Sequence, residues 1–196
     1  MRTARTERET AETKIQIGLK IDGVGKFDVK TGCGFLDHML ELFARHGRFD
    51  LICYAEGDVH IDYHHLAEDV GIVLGRAFAS ALGDMRGVTR YGSFLLPMDE
   101  ALVLVSLDIS GRAYLAYDVQ IPAGKVGDFD TELVEEFLLA FTRSLGLTLH
   151  IKQMAGTNSH HIIEAIFKAL ARALSQAVSL DNRFPDEIPS TKGTII

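Results

Sequence analysis

HHLAEDVGIVLGRAFASALGD occupies positions 64–84, and HHIIEAIFKALARALSQAV occupies positions 160–178. Each stretch opens with two adjacent histidines and places a glutamate four residues after the first. The first stretch then carries apolar residues at 66, 70, 73, 74, 77, 78 and 81. That spacing lines one face of a helix with 3.6 residues per turn. His64, His65, Glu68, Leu74, Arg76, Ala77 and Ala81 each meet an identical residue 96 places on. Self-similarity at a fixed offset is the mark of an internal duplication, and it decides how the rest of the chain is read.

Working outward from the first long helix, KIQIGLKI (14–21) alternates with period two, as a half-buried strand does. DGVGK follows as a turn and KFDVKT (26–31) as a second strand, so this region is predicted to be a hairpin. FLDHMLELFARHG (35–47) has the stripe of a helix ending at Gly47 as its C-cap, and FDLICYAEG (49–57) reads as a strand. The second half gives the same order. ALVLVSLDISG (101–111) and RAYLAYDV (112–119) read as strands, 131–146 as a helix, 147–153 as a strand and 160–178 as the long helix. Glu12 to Gly23 has the spacing of Glu100 to Gly111, and IDG is echoed by ISG. The predicted class is α/β (α+β): an internally duplicated β-β-α-β-α unit forming two sheets backed by helices in a single compact chain. The seam falls near MRGVTRYG (85–92), giving a first half of 1–88 and a second of 89–196. No Pro- or Ser-rich linker separates them, so they are expected to form one structural unit. A small sheet with helices on one face needs a cover for that layer, supplied by the other half or by another copy of the chain.

Bulk composition narrows the function. The chain has 196 residues, 47% of them hydrophobic, and a net charge of −7. That is enough apolar matter for a sizeable core, and the acidic balance points away from nucleic acid as a partner. Cys33 and Cys53 lie far apart and form no CxxC pattern, so they read as buried thiols in a reducing compartment. MRTARTERETAETK carries charge throughout without the apolar run of a signal peptide, and no segment approaches a membrane span. A soluble cytoplasmic protein, with no membrane partner, is expected.

The paired histidines carry chemistry. Residues four apart share a helix face, so His64 and Glu68 can grip one metal ion. His65 points about 100° around the helix and can serve a second ion. A single HHxxE is equally well a polar first turn, with its glutamate favoured by the helix dipole; two copies at the start of two long helices favour metal. His38, in FLDHML, has Glu136, in LVEEFL, as its duplicate. The ligand inventory is then His38, His64, His65, Glu68, Glu136, His160, His161 and Glu164. Two ions would take four ligands each, leaving two open places on an octahedral ion, which favours catalysis over a structural role. Imidazole and carboxylate without thiolate suit Mn, Fe, Ni, Co or Zn. His46, His60 and His150 have no duplicate and are read as loop or strand residues beside the site.

GFLDHML, GDVHIDYHHLAEDVG, LPMDEA, SGRAYL, LHIKQMAGTNSHHIIEAIFKALARAL and PSTKG, taken in order, resemble the imidazoleglycerol-phosphate dehydratases of histidine biosynthesis. The resemblance runs from RETAET (8–13) to PSTKG (189–193). It implies a 24-subunit shell of 432 symmetry with two Mn²⁺ ions per active site, each site lying between subunits; other divalent transition metals remain open. By matching motif positions, one ion takes His38, His65, His160 and Glu164, and the other takes His64, Glu68, His161 and Glu136. Some members have histidine at 136 and glutamine at 42, where this chain has Glu136 and Leu42.

The reaction so implied removes water from imidazoleglycerol phosphate. The proton to be lost lies beside a hydroxyl, not a carbonyl, and is not acidic, so the ring must accept electrons. Metals on its two nitrogens would stabilise an imidazolate, which expels hydroxide to give a diazafulvene-like intermediate. A base then takes the neighbouring proton, and the enol becomes imidazoleacetol phosphate. Glu12 is the resemblance's candidate base, and Glu164 a second proton handler or a ligand only. Substrate contacts fall to Glu12, His38, Arg90, Arg112, Lys168, Ser190, Thr191 and Lys192, the cationic ones clamping phosphate. Lys168 also stands at ideal i,i+4 spacing to pair with Glu164. A dinuclear metal hydrolase and a metal-storage shell are the competing readings. The strand-rich pattern argues against a ferritin-like bundle, and the basic set argues for a phosphorylated ligand.

Overall fold

The structure, a computed structural model, describes residues 1–195. The first half contributes β1 (Thr3–Glu9), β2 (Thr13–Lys20), β3 (Phe27–Lys30), α1 (Gly34–Gly47), β4 (Asp50–Gly57) and α2 (His64–Leu82). The second contributes β5 (Tyr91–Met98), β6 (Ala101–Asp108), β7 (Tyr114–Asp118), the short pair β8 (Lys125–Val126) and β9 (Phe129–Asp130), α3 (Leu133–Leu145), β10 (Thr148–Ala155) and α4 (Ser159–Ala177). Two four-stranded sheets result, ordered β1-β2-β4-β3 and β5-β6-β10-β7. In both, the last strand runs parallel to its neighbour and the other pairings are antiparallel.

Period-two burial explains which face of each sheet is covered. Ile15, Ile17 and Leu19 of β2, and Leu51, Cys53 and Ala55 of β4, point inward. Ala101, Val103, Val105 and Leu107 of β6 do the same in the second sheet. Helices α1 and α2 lie on the first sheet, α3 and α4 on the second, and the two helical layers meet with α1 against α4 and α2 against α3. The helices are thus sandwiched between the sheets. A chain of buried aromatic rings crosses the junction. Phe43, Phe49 and Phe78 of the first half cluster, and Phe43 and Phe78 meet Phe141 at centroid distances of 6.4 and 5.9 Å. Phe137 carries the contact on to Phe167 at 5.3 Å. Burying one such side chain contributes roughly 1.5–3 kcal/mol, so separating the halves would cost much of the core.

Several details differ from the sequence reading. The 14–31 region is not a hairpin: β4 lies between β2 and β3. The β2–β3 connection has no two-residue turn. Its loop is instead held by Asp50 Oδ1, which accepts the Val24 and Lys26 amides at 2.8 and 3.0 Å and carries the chain past the end of β4. Each half also opens with one strand more than the pattern showed. In β1, TARTERE, both faces are polar, so no hydrophobic alternation marks it. As a sheet edge it benefits from that charge, which discourages edge-to-edge pairing. β5 is the other edge and tolerates Pro97 for the same positional reason. Gly47 is the last helical residue of α1 and not its cap. Arg48 takes the left-handed turn (φ 59°), while a Cβ on Gly47 would lie 2.3 Å from the Phe49 ring. His46 consequently sits on α1 and not on a loop or strand. Cys33 and Cys53 are free and buried, and burial pushes the Cys53 thiol up to about 12.

Helices α2 and α3 touch through their backbones. A Cβ on Gly71 would lie 2.5 Å from the Phe137 carbonyl oxygen, and one on Gly75 would lie 2.7 Å from that of Phe141. Alanine at either position improves helix propensity by up to about 1 kcal/mol, yet forces two helices apart in a packed interior. Gly71→Ala is therefore expected to destabilise the protein by about 1–3 kcal/mol, read as a lower thermal midpoint; a midpoint equal to or above that of the parent chain would refute this account of the contact.

Candidate metal centre

Both histidine pairs sit on the first turn of a long helix, with a side-chain oxygen two residues earlier accepting the first histidine's amide. Asn158 Oδ1 accepts the amides of His160 and His161 at 2.9 and 3.2 Å, and Asp62 Oδ1 accepts that of His64 at 2.7 Å. Asn158 is the N-cap of α4, whereas the N-cap of α2 is Tyr63, whose side chain makes no cap bond; what the halves share is an acceptor two residues before each pair. That signal was available in the sequence as D-x-H-H and N-x-H-H, and the hydrophobic stripe alone did not bring it out.

Because α1 packs on α4, His38 comes to the N-terminal end of α4. Its ring joins His160 and Glu164 in a group whose ligand atoms all lie within 4.8 Å of one another. Glu164 Oε2 is 3.2 Å from His160 Nε2 and 3.9 Å from His38 Nε2. Phe35 stacks edge-on against His160 at 5.2 Å and walls one side. Glu164 is buried, which raises its pKa, but the Lys168 hydrogen bond and the nearby histidines outweigh burial and hold it below the ordinary carboxylate value. Two imidazoles and an anionic carboxylate at this separation are a donor set suited to a divalent transition metal. This is the one such group found among the described residues.

The other named ligands lie apart from it. His65 is held by Asp58, whose carboxylate is 2.9 Å from Nδ1, while Nε2 faces Glu12 at 3.9 Å. His161 is held by Glu100, 2.7 Å from Nδ1, while Nε2 faces Asp99 at 3.8 Å. The Asp58 hydrogen bond pushes the His65 ring pKa up, and the Glu100 hydrogen bond does so for His161. Glu100 itself is pulled to about 2 by His161 and by the amides of Asn158 and Thr157. His64 and Glu68 on α2 and Glu136 on α3 are half-buried on the second pair of packed helices. Asp58 and Glu100 were not on the sequence inventory, although Glu100 holds the place in LPMDEA that Glu12 holds in RETAET.

Glu12 is exposed on the β1–β2 turn. Thr10 Oγ1 accepts the amides of Glu12 and Thr13 at 3.1 and 3.0 Å and shapes that turn. Buried Asp69 accepts from Arg8 and Thr13 and ties the turn to α2. Leu42 packs against the core and His46 is half-buried, its pKa lowered by burial and by Lys168 and Arg172. His60 is exposed, and the His150 ring lies tilted against Tyr114 at 5.8 Å.

The basic residues gather at a cleft of about 510 Å³ lined by Arg90, Ser110, Arg112, Ser190, Thr191 and Lys192, among others. Lys168 is not among them; its ammonium is engaged by Glu164. Arg90 is also engaged: it grips Asp108 at 2.6 and 3.1 Å and donates to the Pro189 carbonyl at 2.7 Å. It thereby ties the C-terminal tail to β6. The tail is further held by Gly87, which donates to Glu187 at 2.8 Å and accepts from Asp181 at 2.7 Å. Arg112 and Lys192 have no carboxylate partner among the described residues.

A family model for imidazoleglycerol-phosphate dehydratase matches residues 31–174. The chain is 58% identical over 195 residues to the imidazoleglycerol-phosphate dehydratase of Caldanaerobacter subterraneus subsp. tengcongensis, covering 100% of both chains. It is 55% identical to that of Azorhizobium caulinodans, covering 100% of this chain and 99% of the relative. The crystal structure of the Staphylococcus aureus enzyme superposes with a TM-score of 0.82 at 42% identity, over 91% of this chain and 100% of that one. The Pyrococcus furiosus enzyme, solved in complex with (S)-C348, gives 0.83 at 41% identity, over 96% and 99%.

Asp108→Ala should leave Arg90 without its bidentate partner and loosen the tail. A loss of about 1–3 kcal/mol is expected, measured by thermal unfolding, together with faster proteolysis after residue 180; an unchanged tail would show that Arg90 does not hold it.

Proposed function

The chain belongs to the imidazoleglycerol-phosphate dehydratase family, and on that premise we propose how its residues remove water from imidazoleglycerol phosphate to give imidazoleacetol phosphate. It is a hydro-lyase of histidine biosynthesis. The observation that carries the reading is the convergence of His38, His160 and Glu164 from two packed helices of opposite halves. We read the chain as two repeats, 1–88 and 89–196, acting as one unit; the shared strand order of the two sheets supports this.

The donor set fits divalent metal. His38, His160 and Glu164 would hold one ion and His64, Glu68 and Glu136 a second, each completed by the second histidine of the opposite pair. Two Mn²⁺ ions, when bound, would supply the positive charge that lets the substrate's imidazole ring act as an electron reservoir. His65 lies outside the group formed by His38, His160 and Glu164 in the same chain, so an ion that takes all four needs His65 from another copy. That incompleteness supports a homo-oligomer with sites between subunits, the 24-subunit shell of the resemblance. A cytoplasmic setting goes with a biosynthetic enzyme, and among the described residues no helix is long and apolar enough to cross a membrane.

The remaining roles follow from position. Hydroxide leaves the ring-attached carbon, and the diazafulvene-like product keeps one proton to be lost from the neighbouring carbon. Glu12, exposed and close to His65, is the base that takes it, giving the enol that tautomerises to the ketone. Glu164, anionic and gripped by Lys168, fits ligation better than proton transfer. Arg112, Lys192, Ser190 and Thr191 clamp the phosphate. Arg90 builds the wall that presents them, and Lys168 acts through Glu164.

Three measurements test this. Protein loaded with Mn²⁺ should convert imidazoleglycerol phosphate, and chelation should abolish turnover; a fully loaded protein without turnover would sink the reading. Glu12→Gln should lower kcat by about 10²–10⁴-fold while metal content stays at the parent level; an undiminished kcat would remove Glu12 from the chemistry. His160→Ala should lose metal and shift the assembly to smaller species on size-exclusion chromatography; unchanged metal content would overturn the ligand scheme.

A further inference from the structure

In both halves the second histidine of the pair is treated alike, by carboxylates that do not correspond in sequence. His65 Nδ1 meets Asp58 Oδ2 at 2.9 Å, and His161 Nδ1 meets Glu100 Oε2 at 2.7 Å. An ionised carboxylate can only accept, so the ring must donate its Nδ1 proton in each case. In each case Nε2 is left facing a second carboxylate, Glu12 at 3.9 Å or Asp99 at 3.8 Å, beyond hydrogen-bond reach. Asp58 is the first residue past the end of β4's pairing with β2, fixed there by its amide donating to the Glu12 carbonyl at 3.1 Å. Glu100 stands in the β5–β6 turn and is fixed from the other side, its Oε1 accepting the Asn158 and Thr157 amides at 2.8 and 3.2 Å. Two different loops therefore deliver a carboxylate to the same ring atom of the equivalent histidine.

We propose that Asp58 and Glu100 are positioning residues that lock His65 and His161 with Nδ1 protonated and the Nε2 lone pair free to ligate a metal ion. The proposal rests on the reading of His65 and His161 as ligands. These are the two histidines that turn away from their own helix's ion, so they have no i,i+4 glutamate beside them to orient the ring. His160 has Glu164 at that spacing; His161 has Ala165 and His65 has Asp69, which is buried and engaged with Arg8 and Thr13. An external carboxylate supplies the orientation that the helix itself cannot. A carboxylate behind a ligating imidazole fixes its tautomer and raises its basicity, and its loss lowers metal affinity by about 10–100-fold.

The test is a Mn²⁺ titration of the full chain by competition with a chelating dye, free of any activity readout. Glu100→Gln and Asp58→Asn keep the shape of the side chain but remove the charge that enforces an Nδ1 donor. Each should weaken Mn²⁺ binding by about 10–100-fold, with circular dichroism unchanged, while Asp118→Asn, at an exposed carboxylate paired with Lys152, leaves binding as it was. In a His161→Ala background Glu100→Gln should cost no further affinity, and likewise Asp58→Asn in His65→Ala. If the double variants bind additively more weakly, the carboxylates act on the fold and not through the rings, and the proposal is overturned. If the histidine variants weaken binding but Glu100→Gln and Asp58→Asn do not, the positioning role alone is overturned. If His65→Ala and His161→Ala bind Mn²⁺ like the parent, the ligand reading falls and the proposal with it.

Discussion

The backbone contact of α2 with α3 at Gly71 and Gly75 is the constraint from which the rest of the molecule follows. Each half makes a sheet with one helical layer, and that layer has a second apolar face that water would otherwise meet. The halves cover each other, and without a Cβ at 71 and 75 the two layers close to backbone distance. The rings of Phe43, Phe78 and Phe141 then interdigitate across the join. Gly92 makes the same provision on the other side, where a Cβ would lie 1.9 Å from the Ala173 carbonyl of α4. Close helical packing is what carries His38, on α1, to the end of α4. The candidate metal-binding group is thus a by-product of how the core closes, with no loop needed to assemble it.

Pairing α1 with α4 and α2 with α3 also makes the site asymmetric. The first pair brings together two histidines and a glutamate, and the second brings Glu136 alongside the helix of His64 and Glu68. Glu136 places a carboxylate on the helix that packs against the one carrying Glu68. It adds charge to a region where Glu68 is already acidic. A bound cation would compensate that charge, and so would a cationic residue of another copy. The first pair needs no such help, because Lys168 neutralises Glu164 within the chain.

Much of this was legible in the residues. The duplication, the four helices and the strands β2, β4, β6 and β10 announce themselves by periodicity, because their burial is one-sided. What escaped is what lacks that one-sidedness. β1 is a charged edge and β5 starts inside the supposed seam; β3 reads as a strand, and only its place beside β4 escaped, set by Asp50, a contact 26 residues away from Val24 that no local turn signal encodes. In the site, His38, His160 and Glu164 could be named from spacing and resemblance. Their meeting depended on the cross-half packing, which spacing does not reveal. Asp58 and Glu100 stayed hidden because a carboxylate in a loop has no pattern; only the ring it touches gives it meaning.

The basic cleft shows how position reassigns residues that composition treats alike. Arg90, Arg112, Lys168 and Lys192 look equivalent as cations in a sequence. Arg90 has its guanidinium closed on Asp108 and its remaining reach on the Pro189 carbonyl. A phosphate arriving there would have to compete with a bidentate carboxylate already in place. Lys168 is closed on Glu164 in the same sense. Arg112 and Lys192 keep their charge available, and they approach the cleft from two unrelated segments, the turn after β6 and the tail. The tail's attachment by Arg90 is therefore what brings Lys192 to the cleft that Arg112 lines. In that arrangement the partly buried arginine organises the cleft, and the exposed cations are the ones left free to meet a phosphate.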